Sequence, residues 1–382
     1  MNNKQKQFLT GAEVVVQACV DAGATQMYGY PITPGTEVLT GWIKEAEKSR
    51  LHSTFAQASA DEQGFGGQGK LEYLQTEDEI AAGFAICGAV MGGKKAFTAT
   101  AGPGTVLMQD AMSMADGMRL PFVAIIVQRG GPSSGTVIYS QQEVNLAIHG
   151  GNGEGMRLVY SPSNLEELYE LTRLTFNNAW KYRFPSVLLS DGFLMKTRQT
   201  VSLDFEIENV EPIALVSPEV QKNIRNIYSF EEELRLELEN QEKDFNKMAS
   251  EVIKFESYLP DMPDGKSWQA GKVEDCDELI IAHGIVAGAV KEAIEELRNP
   301  STGAQGREVG LFRPITLSPF PKDELNRLAK QVKRLFVVES SMGQLRDLVK
   351  QNLDSKISVE IDGLYRPAVG IEAEEIVSAL LK

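Results

Sequence analysis

Cysteine and histidine are scarce in this sequence, three of each in 382 residues. Cys19, Cys87 and Cys276 lie far apart, so no CxxC pair exists to hold a metal or an iron–sulfur cluster. Isolated cysteines of this kind read as buried small apolar residues. His52, His149 and His283 are equally scattered, which argues against zinc, and no metal ligand is assigned. Long apolar runs are missing too. Residues 1–17 hold no signal-peptide core, and no uncharged stretch reaches the ~20 residues that a membrane span needs. A cytoplasmic protein is expected. Cationic residues are outnumbered, 38 Lys and Arg against 53 Asp and Glu, for a formal net charge of −15. Such a surface repels phosphate backbones and anionic lipid, so neither nucleic acid nor membrane is an expected partner.

What is present is an ordinary globular composition, 42% hydrophobic, long enough for two or three domains. Apolar spacing predicts a helix over 11–22 and a strand over 26–30. The loop Tyr30-Pro31-Ile32-Thr33-Pro34 follows, with Thr33 able to cap the next helix. Residues 56–75 read as a polar, glycine-rich loop. A helix of small residues over 76–92 and a strand over 95–101 come next, ended by Gly102-Pro103-Gly104. Helices over 106–117 and 166–181 alternate with apolar strands over 121–128 and 185–190. Uninterrupted apolar strands between helices indicate a buried parallel sheet, so residues 1–200 are expected to form one α/β domain. In 201–272 the residues Phe230, Leu234, Leu238, Phe245, Met248, Val252 and Phe255 form one apolar stripe. This segment is expected to be a helical linker that packs across domains or onto a partner. Residues 273–382 form a second α/β domain, with strands over 278–283, 308–312 and 334–338 and helices over 288–298 and 322–331.

Several residues admit two readings. Thr76-x-x-Glu79 is a legitimate capping box, and Glu77 and Asp78 would favour the helix dipole. Glu79 could instead be a functional carboxylate at the mouth of its helix. Thr33 is either a plain N-cap or a hydroxyl held in a loop between two prolines. Arg129 ends an apolar strand, where ligands of open α/β sheets bind, and a guanidinium there can grip a carboxylate with two parallel bonds. It could equally be a strand-end surface residue. Gly102 and Gly104 either reverse the chain or let backbone approach a ligand. His149, in a glycine-rich loop, is structural or lies near a substrate. Gly64-x-Gly66-x-x-Gly69 matches a dinucleotide fingerprint only literally, because no strand precedes it and no clear helix follows.

Taken in order, Tyr30-Pro31-Ile32-Thr33-Pro34, 76–82, Thr98-Ala99-Thr100-Ala101-Gly102-Pro103-Gly104 and Gln128-Arg129-Gly130-Gly131-Pro132 resemble the alpha subunits of 2-oxoacid:ferredoxin oxidoreductases. Residues 311–317 and Pro319-Phe320-Pro321 are similar to that family's C-terminal domain. The resemblance covers roughly residues 10–200 and 273–345, with the glycine-rich stretch 59–70 as a departure from the pattern. It implies a thiamine-diphosphate-binding-type pyrimidine domain with a parallel sheet, followed by a transketolase-C-like α/β domain. Glu79 would activate the cofactor by hydrogen bonding to its aminopyrimidine. Tyr30, Pro31, Ile32, Gly102 and Gly104 would line the cofactor, and Thr33, Arg129 and His149 the substrate. The implied reaction converts a 2-oxoacid, 2-oxoisovalerate-like or 2-oxoglutarate, to acyl-CoA and carbon dioxide, with coenzyme A as co-substrate and ferredoxin as electron acceptor.

The segment that usually binds magnesium and diphosphate, Gly-Asp-Gly with a downstream asparagine, is matched only by Ser190-Asp191-Gly192, and Asn223 lies too far on. That segment reads as a strand-end turn. Magnesium, the diphosphate end and the [4Fe–4S] clusters are therefore expected in partner chains: a beta subunit, a gamma subunit and, as an optional member, a ferredoxin-like delta chain. A 2-oxoglutarate enzyme would need a second cation, for which Lys94, Lys95 and Arg119 are candidates. Two rival classes share parts of the pattern: a 2-oxoacid dehydrogenase or transketolase subunit, and a non-catalytic assembly or regulatory relative.

Overall fold

A computed structural model describes residues 6–56, 71–217, 224–258, 276–298 and 309–382. The glycine-rich stretch 59–70 and Asn223 lie outside these residues. The chain opens with β1 (Gln7–Thr10), α1 (Gly11–Asp21), β2 (Gln26–Gly29) and α2 (Thr36–Ala56). Then come β3 (Glu72–Gln75), α3 (Glu79–Met91), β4 (Ala96–Thr100), α4 (Pro103–Leu107), α5 (Gln109–Gly117) and β5 (Val123–Gln128). The first half closes with α6 (Val144–His149), β6 (Leu158–Tyr160), α7 (Leu165–Tyr182), β7 (Ser186–Asp191), α8 (Gly192–Lys196) and β8 (Arg198–Val201). A long helix α9 (Glu231–Val252) and a strand β9 (Phe255–Tyr258) lead to the second half. That half holds β10 (Glu278–Ile281), α10 (Val286–Arg298), β11 (Val309–Pro314), β12 (Thr316–Ser318) and α11 (Lys322–Ala329). It ends with β13 (Arg334–Glu339), α12 (Gln344–Asn352), β14 (Glu360–Tyr365) and α13 (Ala373–Leu380).

The main sheet has seven strands in the order β12-β6-β7-β5-β4-β2-β3, all parallel except β12. Strands β4, β5 and β7 are buried at every residue, as strands covered on both faces must be. One face is packed by α1, α2 and α7, with Val15, Trp42, Phe97 and Phe176 at its centre. The other is packed by α3, α5 and α6 through Ile86, Met112 and Val144. The second sheet is five-stranded, β14-β13-β10-β11-β9, parallel apart from β9. Cys19, Cys87 and Cys276 are buried and unbridged. Among the described residues no helix is long and apolar enough to cross a membrane.

Three expectations differ from the structure. Residues 72–75, read as loop, form β3, the edge strand that pairs with β2. Their side chains are mostly exposed, so no apolar alternation marks them. The segment 201–272 is not wholly helical: β9 belongs to the second sheet. Conversely β12, from the 273–382 region, crosses to the first sheet and pairs with β6. A short strand added there covers an edge that would otherwise present unpaired amides and carbonyls. Each half thus contributes a strand to the other's surroundings. Only the carboxyl end of the stripe on α9 is buried, through Met248 and Val252, whereas Phe230 and Leu234 are exposed.

Candidate active site

Four loops leave the carboxyl ends of the adjacent strands β3, β2, β4 and β5 and converge, the place where ligands of open α/β sheets bind. The first joins β3 to α3. The Thr76 amide donates to the Gly29 carbonyl at 3.0 Å, and the Thr76 hydroxyl donates to the Asp78 carbonyl at 2.8 Å. Asp78 is the N-cap: its Oδ1 accepts from the Ala81 amide at 2.7 Å. The capping box that the Thr76-x-x-Glu79 spacing allows is not formed. Glu79 is instead the first member of the buried stripe Glu79, Ala82, Gly83, Ile86, Cys87 and Val90. Spacing by three and four residues turns all of these toward the sheet. Glu79 is 4% exposed, and the donor to its carboxylate among the described residues is its own amide. Burial pushes its pKa up, and nearby Asp78 adds to that, against the lowering influence of its own amide and of Arg129.

The loop after β4 makes room for this carboxylate. A Cβ on Gly104 would overlap both the Glu79 carboxylate and the Thr100 hydroxyl, so only glycine lets them lie there. Thr100 Oγ1 is itself buried without a hydrogen-bond partner. Gly102 has φ +53°, and a Cβ there would stand 2.6 Å from Arg129 Nε. Its turn is therefore shaped to seat the arginine side chain. Arg129, just past β5, is 6% exposed. Its Nη1 donates to the Thr33 carbonyl at 2.8 Å, while its Nε has no partner. Thr33 does not cap α2, which begins at Thr36 after the Thr36 amide has donated to the Ile32 carbonyl at 2.9 Å. The Thr33 hydroxyl is thus not used as a cap. Tyr30 and Pro31, next in this loop, are exposed.

The structure adds a residue that no sequence signal marked. Glu143, immediately before α6, is 4% exposed. Its Oε1 accepts from the Gly102 amide at 2.9 Å and the Arg129 amide at 3.0 Å, and its Oε2 accepts from the Thr105 hydroxyl at 2.6 Å. Three charge-assisted bonds tie two of the four loops together. The sequence Ser140-Gln141-Gln142-Glu143 is polar throughout and has no periodicity, so nothing in it announces burial. Glu79, in contrast, could have been found from its phase on the helix.

Other candidates are placed elsewhere. His149 ends α6, about 9 Å along the helix from Glu143 by helical rise. It has no hydrogen bond to a described residue and its pKa is lowered, by burial and then by Arg157. The structure does not bring it into the cluster. Lys95 immediately precedes β4, and its Nζ donates to the Ala22 carbonyl at 2.7 Å. Lys94 precedes it, exposed. Arg119 donates to the Arg183 carbonyl at 3.1 Å and pairs with Asp244. All three lie before the amino ends of β4 or β5, roughly 16 Å or more along the strands from the cluster. They are therefore not a second substrate cation. Asp191 is fully committed as the N-cap of α8, accepting from the Leu194 amide at 2.9 Å, in keeping with a strand-end turn. Among the described residues no group of three or more His, Cys, Asp or Glu side chains could hold a metal ion.

The buried Glu79 carboxyl group, the unpartnered Thr100 hydroxyl and Arg129 with its unpartnered Nε gather at the end of a parallel sheet. These groups form the candidate site. A family model described as pyruvate flavodoxin/ferredoxin oxidoreductase, thiamine diphosphate-binding, matches residues 17–260. A second, pyruvate:ferredoxin oxidoreductase core domain II, matches residues 276–368. The ketoisovalerate oxidoreductase subunit VorB of Methanothermobacter thermautotrophicus is 30% identical over 351 residues, 90% of this chain and 89% of that one. The 2-oxoglutarate synthase subunit KorA of Methanocaldococcus jannaschii is 30% identical over 360 residues, 89% of each chain. The chain belongs to the 2-oxoacid:ferredoxin oxidoreductase family and is a subunit of an oxidoreductase.

Solved structures agree on the fold. The 2-oxoglutarate:ferredoxin oxidoreductase from Magnetococcus marinus, with 2-oxoglutarate, coenzyme A and succinyl-CoA bound, superposes with TM-score 0.80 at 24% identity. That match covers all of this chain and 66% of the other. A split-gene transketolase in an inactive tetramer gives TM-score 0.57 at 14% identity over 98% of both chains. The architecture is thus a thiamine-diphosphate-binding α/β domain followed by a second α/β domain.

Proposed function

We propose that this chain is the alpha subunit of an enzyme that oxidatively decarboxylates a 2-oxoacid to acyl-CoA and carbon dioxide and passes the electrons to ferredoxin. The observation that carries this reading is Glu79: a buried carboxyl group at the mouth of a cradle, with only its own amide as donor among the described residues. Burying such a group with so few donors costs stability unless a ligand completes it. Thiamine diphosphate fits. Glu79 would hold its aminopyrimidine ring nitrogen, with the Thr100 hydroxyl and the Gly104 backbone beside it and the loop from Tyr30 to Ile32 at its edge. When bound, the cofactor supplies a carbon nucleophile and an electron sink for loss of carbon dioxide. A carboxyl group with a raised pKa keeps its proton closer to neutral pH, which suits one that shares a proton with a ring nitrogen. Arg129 would hold the substrate carboxylate, with the Thr33 hydroxyl beside it, while its other face stays anchored to the Thr33 carbonyl.

The site is one-sided. Ile80 and Phe84 on α3, Val106 and Leu107 around α4, and Tyr30 stand exposed around it. Apolar side chains grouped at the mouth of a site mark a surface that a partner covers. The partner would carry magnesium, the diphosphate end and the clusters, since the three cysteines here are buried and single. A beta and a gamma subunit, with a ferredoxin-like delta chain as an optional member, would complete the enzyme. The substrate favoured is a monocarboxylic 2-oxoacid of the 2-oxoisovalerate type. Arg129 is the single described guanidinium in the cluster, and Lys95 and Arg119 are committed at the opposite edge.

The test is anaerobic viologen reduction by the complex purified on this chain, with pyruvate, 2-oxoisovalerate and 2-oxoglutarate, each with and without coenzyme A. Coenzyme-A-dependent reduction is expected, fastest with 2-oxoisovalerate. Fastest turnover with 2-oxoglutarate would overturn the substrate assignment, and no turnover by an intact, cluster-loaded complex would overturn the reaction.

A further inference from the structure

The geometry points to Glu143 as the positioning residue that sets Arg129 and the Gly102 turn as one rigid unit for gripping the substrate carboxylate. This rests on the reading of Arg129 as the carboxylate-binding residue. Arg129 follows β5 at the start of a loop, and Gly102 lies just past β4 as the N-cap of α4. Both amides find the same oxygen, Glu143 Oε1, at 3.0 and 2.9 Å. The second oxygen takes the Thr105 hydroxyl at 2.6 Å and so reaches the first turn of α4. Each of these groups donates to the carboxylate, and together they oppose the rise in pKa that its burial causes. The Arg129 side chain lies over Gly102, close enough that a Cβ there would meet its Nε. Backbone and side chain of the arginine are thus both referenced to the piece of chain that Glu143 holds.

Glu143 is itself fixed from several directions. Its amide donates to Gln128 Oε1 at 3.3 Å. Its neighbour Gln142 accepts from the Gly131 amide at 3.1 Å through Oε1, and its carbonyl accepts from Gln344 Nε2 at 2.8 Å. Gln141 is bonded to both backbone atoms of Ser340, its amide donating at 3.0 Å and its Oε1 accepting at 2.9 Å, and its Nε2 donates to the His283 carbonyl at 2.8 Å. The second domain therefore anchors the segment that carries Glu143. A positioning group that is preorganised in this way holds a ligand-binding arginine at no cost when the ligand arrives.

The three acceptor contacts make a graded series of variants possible. In Glu143→Gln, Oε1 can still accept both amides and Nε2 can donate to the Thr105 oxygen, so the geometry survives. Glu143→Asp withdraws the carboxylate by one methylene, and Glu143→Ala removes it. Each is made in the assembled, cluster-loaded complex, and KM is measured separately for the 2-oxoacid and for coenzyme A. Glu143→Asp and Glu143→Ala are expected to raise the 2-oxoacid KM by at least about tenfold with the coenzyme A KM unchanged, and Glu143→Gln to restore it to within about threefold. Hydrogen exchange of the chain without cofactor is the second readout. Peptides over 100–108 and 127–133 are expected to exchange faster together in Glu143→Asp, with 334–339 unaltered. A folded Glu143→Asp with the wild-type 2-oxoacid KM, or with unchanged exchange in both peptides, would overturn the assignment. Arg129→Lys is run in parallel: a raised 2-oxoacid KM in that variant alone sinks only the role of Glu143, and no rise sinks the reading of Arg129 as well.

Discussion

At the scale of single residues, the molecule holds several carboxyl groups away from water, and each is treated differently. Glu79 is buried with only its own amide as donor, Glu143 with three donors, and Asp191 with its helix cap. The first is poised for a ligand and the others are structural acceptors. Glu79→Gln keeps the shape and loses the exchangeable carboxyl proton. It is expected to lower turnover in the viologen assay by about 10²–10⁴-fold, the range for a proton-transfer group, with the complex still assembled. Asp191 supplies a pH prediction. Burial is the main cause that raises its pKa from 3.8 to about 6, against the Leu194 and Phe193 amides. A raised folded-state pKa means that stability is present below the unfolded value and is lost as pH climbs through the folded one. Asp191→Asn retains the cap oxygen and has no charge to bury. Its stability relative to wild type should be near zero at pH 3.5 and should rise by at most about 3 kcal/mol between pH 4 and pH 7, read from urea unfolding at each pH.

At the scale of elements, two identical local patterns behave differently. Thr10-x-x-Glu13 and Thr76-x-x-Glu79 both satisfy the capping-box spacing. The first forms it: Glu13 N donates to Thr10 Oγ1 at 3.2 Å, and Thr10 N donates to Glu13 Oε2 at 2.8 Å. The second does not, because Asp78 takes over as cap and leaves Glu79 to the buried face. Glu13 is exposed, so its side chain can fold back to the amide, whereas Glu79 is held under Gly104. Asp78→Ala should therefore cost about 1 kcal/mol of stability in thermal or urea unfolding. Loss of α3 stability of this size with wild-type turnover would separate the cap from the chemistry. The reverse result, turnover lost with stability kept, would assign Asp78 itself a role at the site.

At the scale of the whole molecule, the two sheets are joined by polar contacts as well as by exchanged strands. Arg313 on β11 is 1% exposed and bonds Glu256 on β9 at 2.8 Å through Nε. Its Nη1 and Nη2 bond Glu167 on α7 at 2.9 and 2.6 Å, so one guanidinium spans both halves. Arg313→Ala would leave Glu256 buried with Lys291 as its remaining partner. The expected cost is about 3–5 kcal/mol, typical of breaking a buried pair from one side. Calorimetry of the variant should show the loss. A loss under 1 kcal/mol would mean that the strand exchange, the Gln141 and Gln142 contacts and the shared apolar core hold the halves together without this guanidinium.

The sequence by itself determined the α/β character, the four central strands β2, β4, β5 and β7 of the main sheet and the glycine- and proline-bearing loops after three of them, because periodic apolar runs and glycine–proline turns are local signals. It also placed Thr33, Arg129, Gly102 and Gly104 on those loops, and Glu79 at the mouth of its helix. Tertiary structure alone decided that these loops meet, that β9 and β12 cross between the halves, and that Lys95 and Arg119 stand at the wrong edge. It alone revealed Glu143. Strand order and the burial of a polar loop depend on pairings between residues far apart in the chain, and no local pattern of residue types encodes those distances.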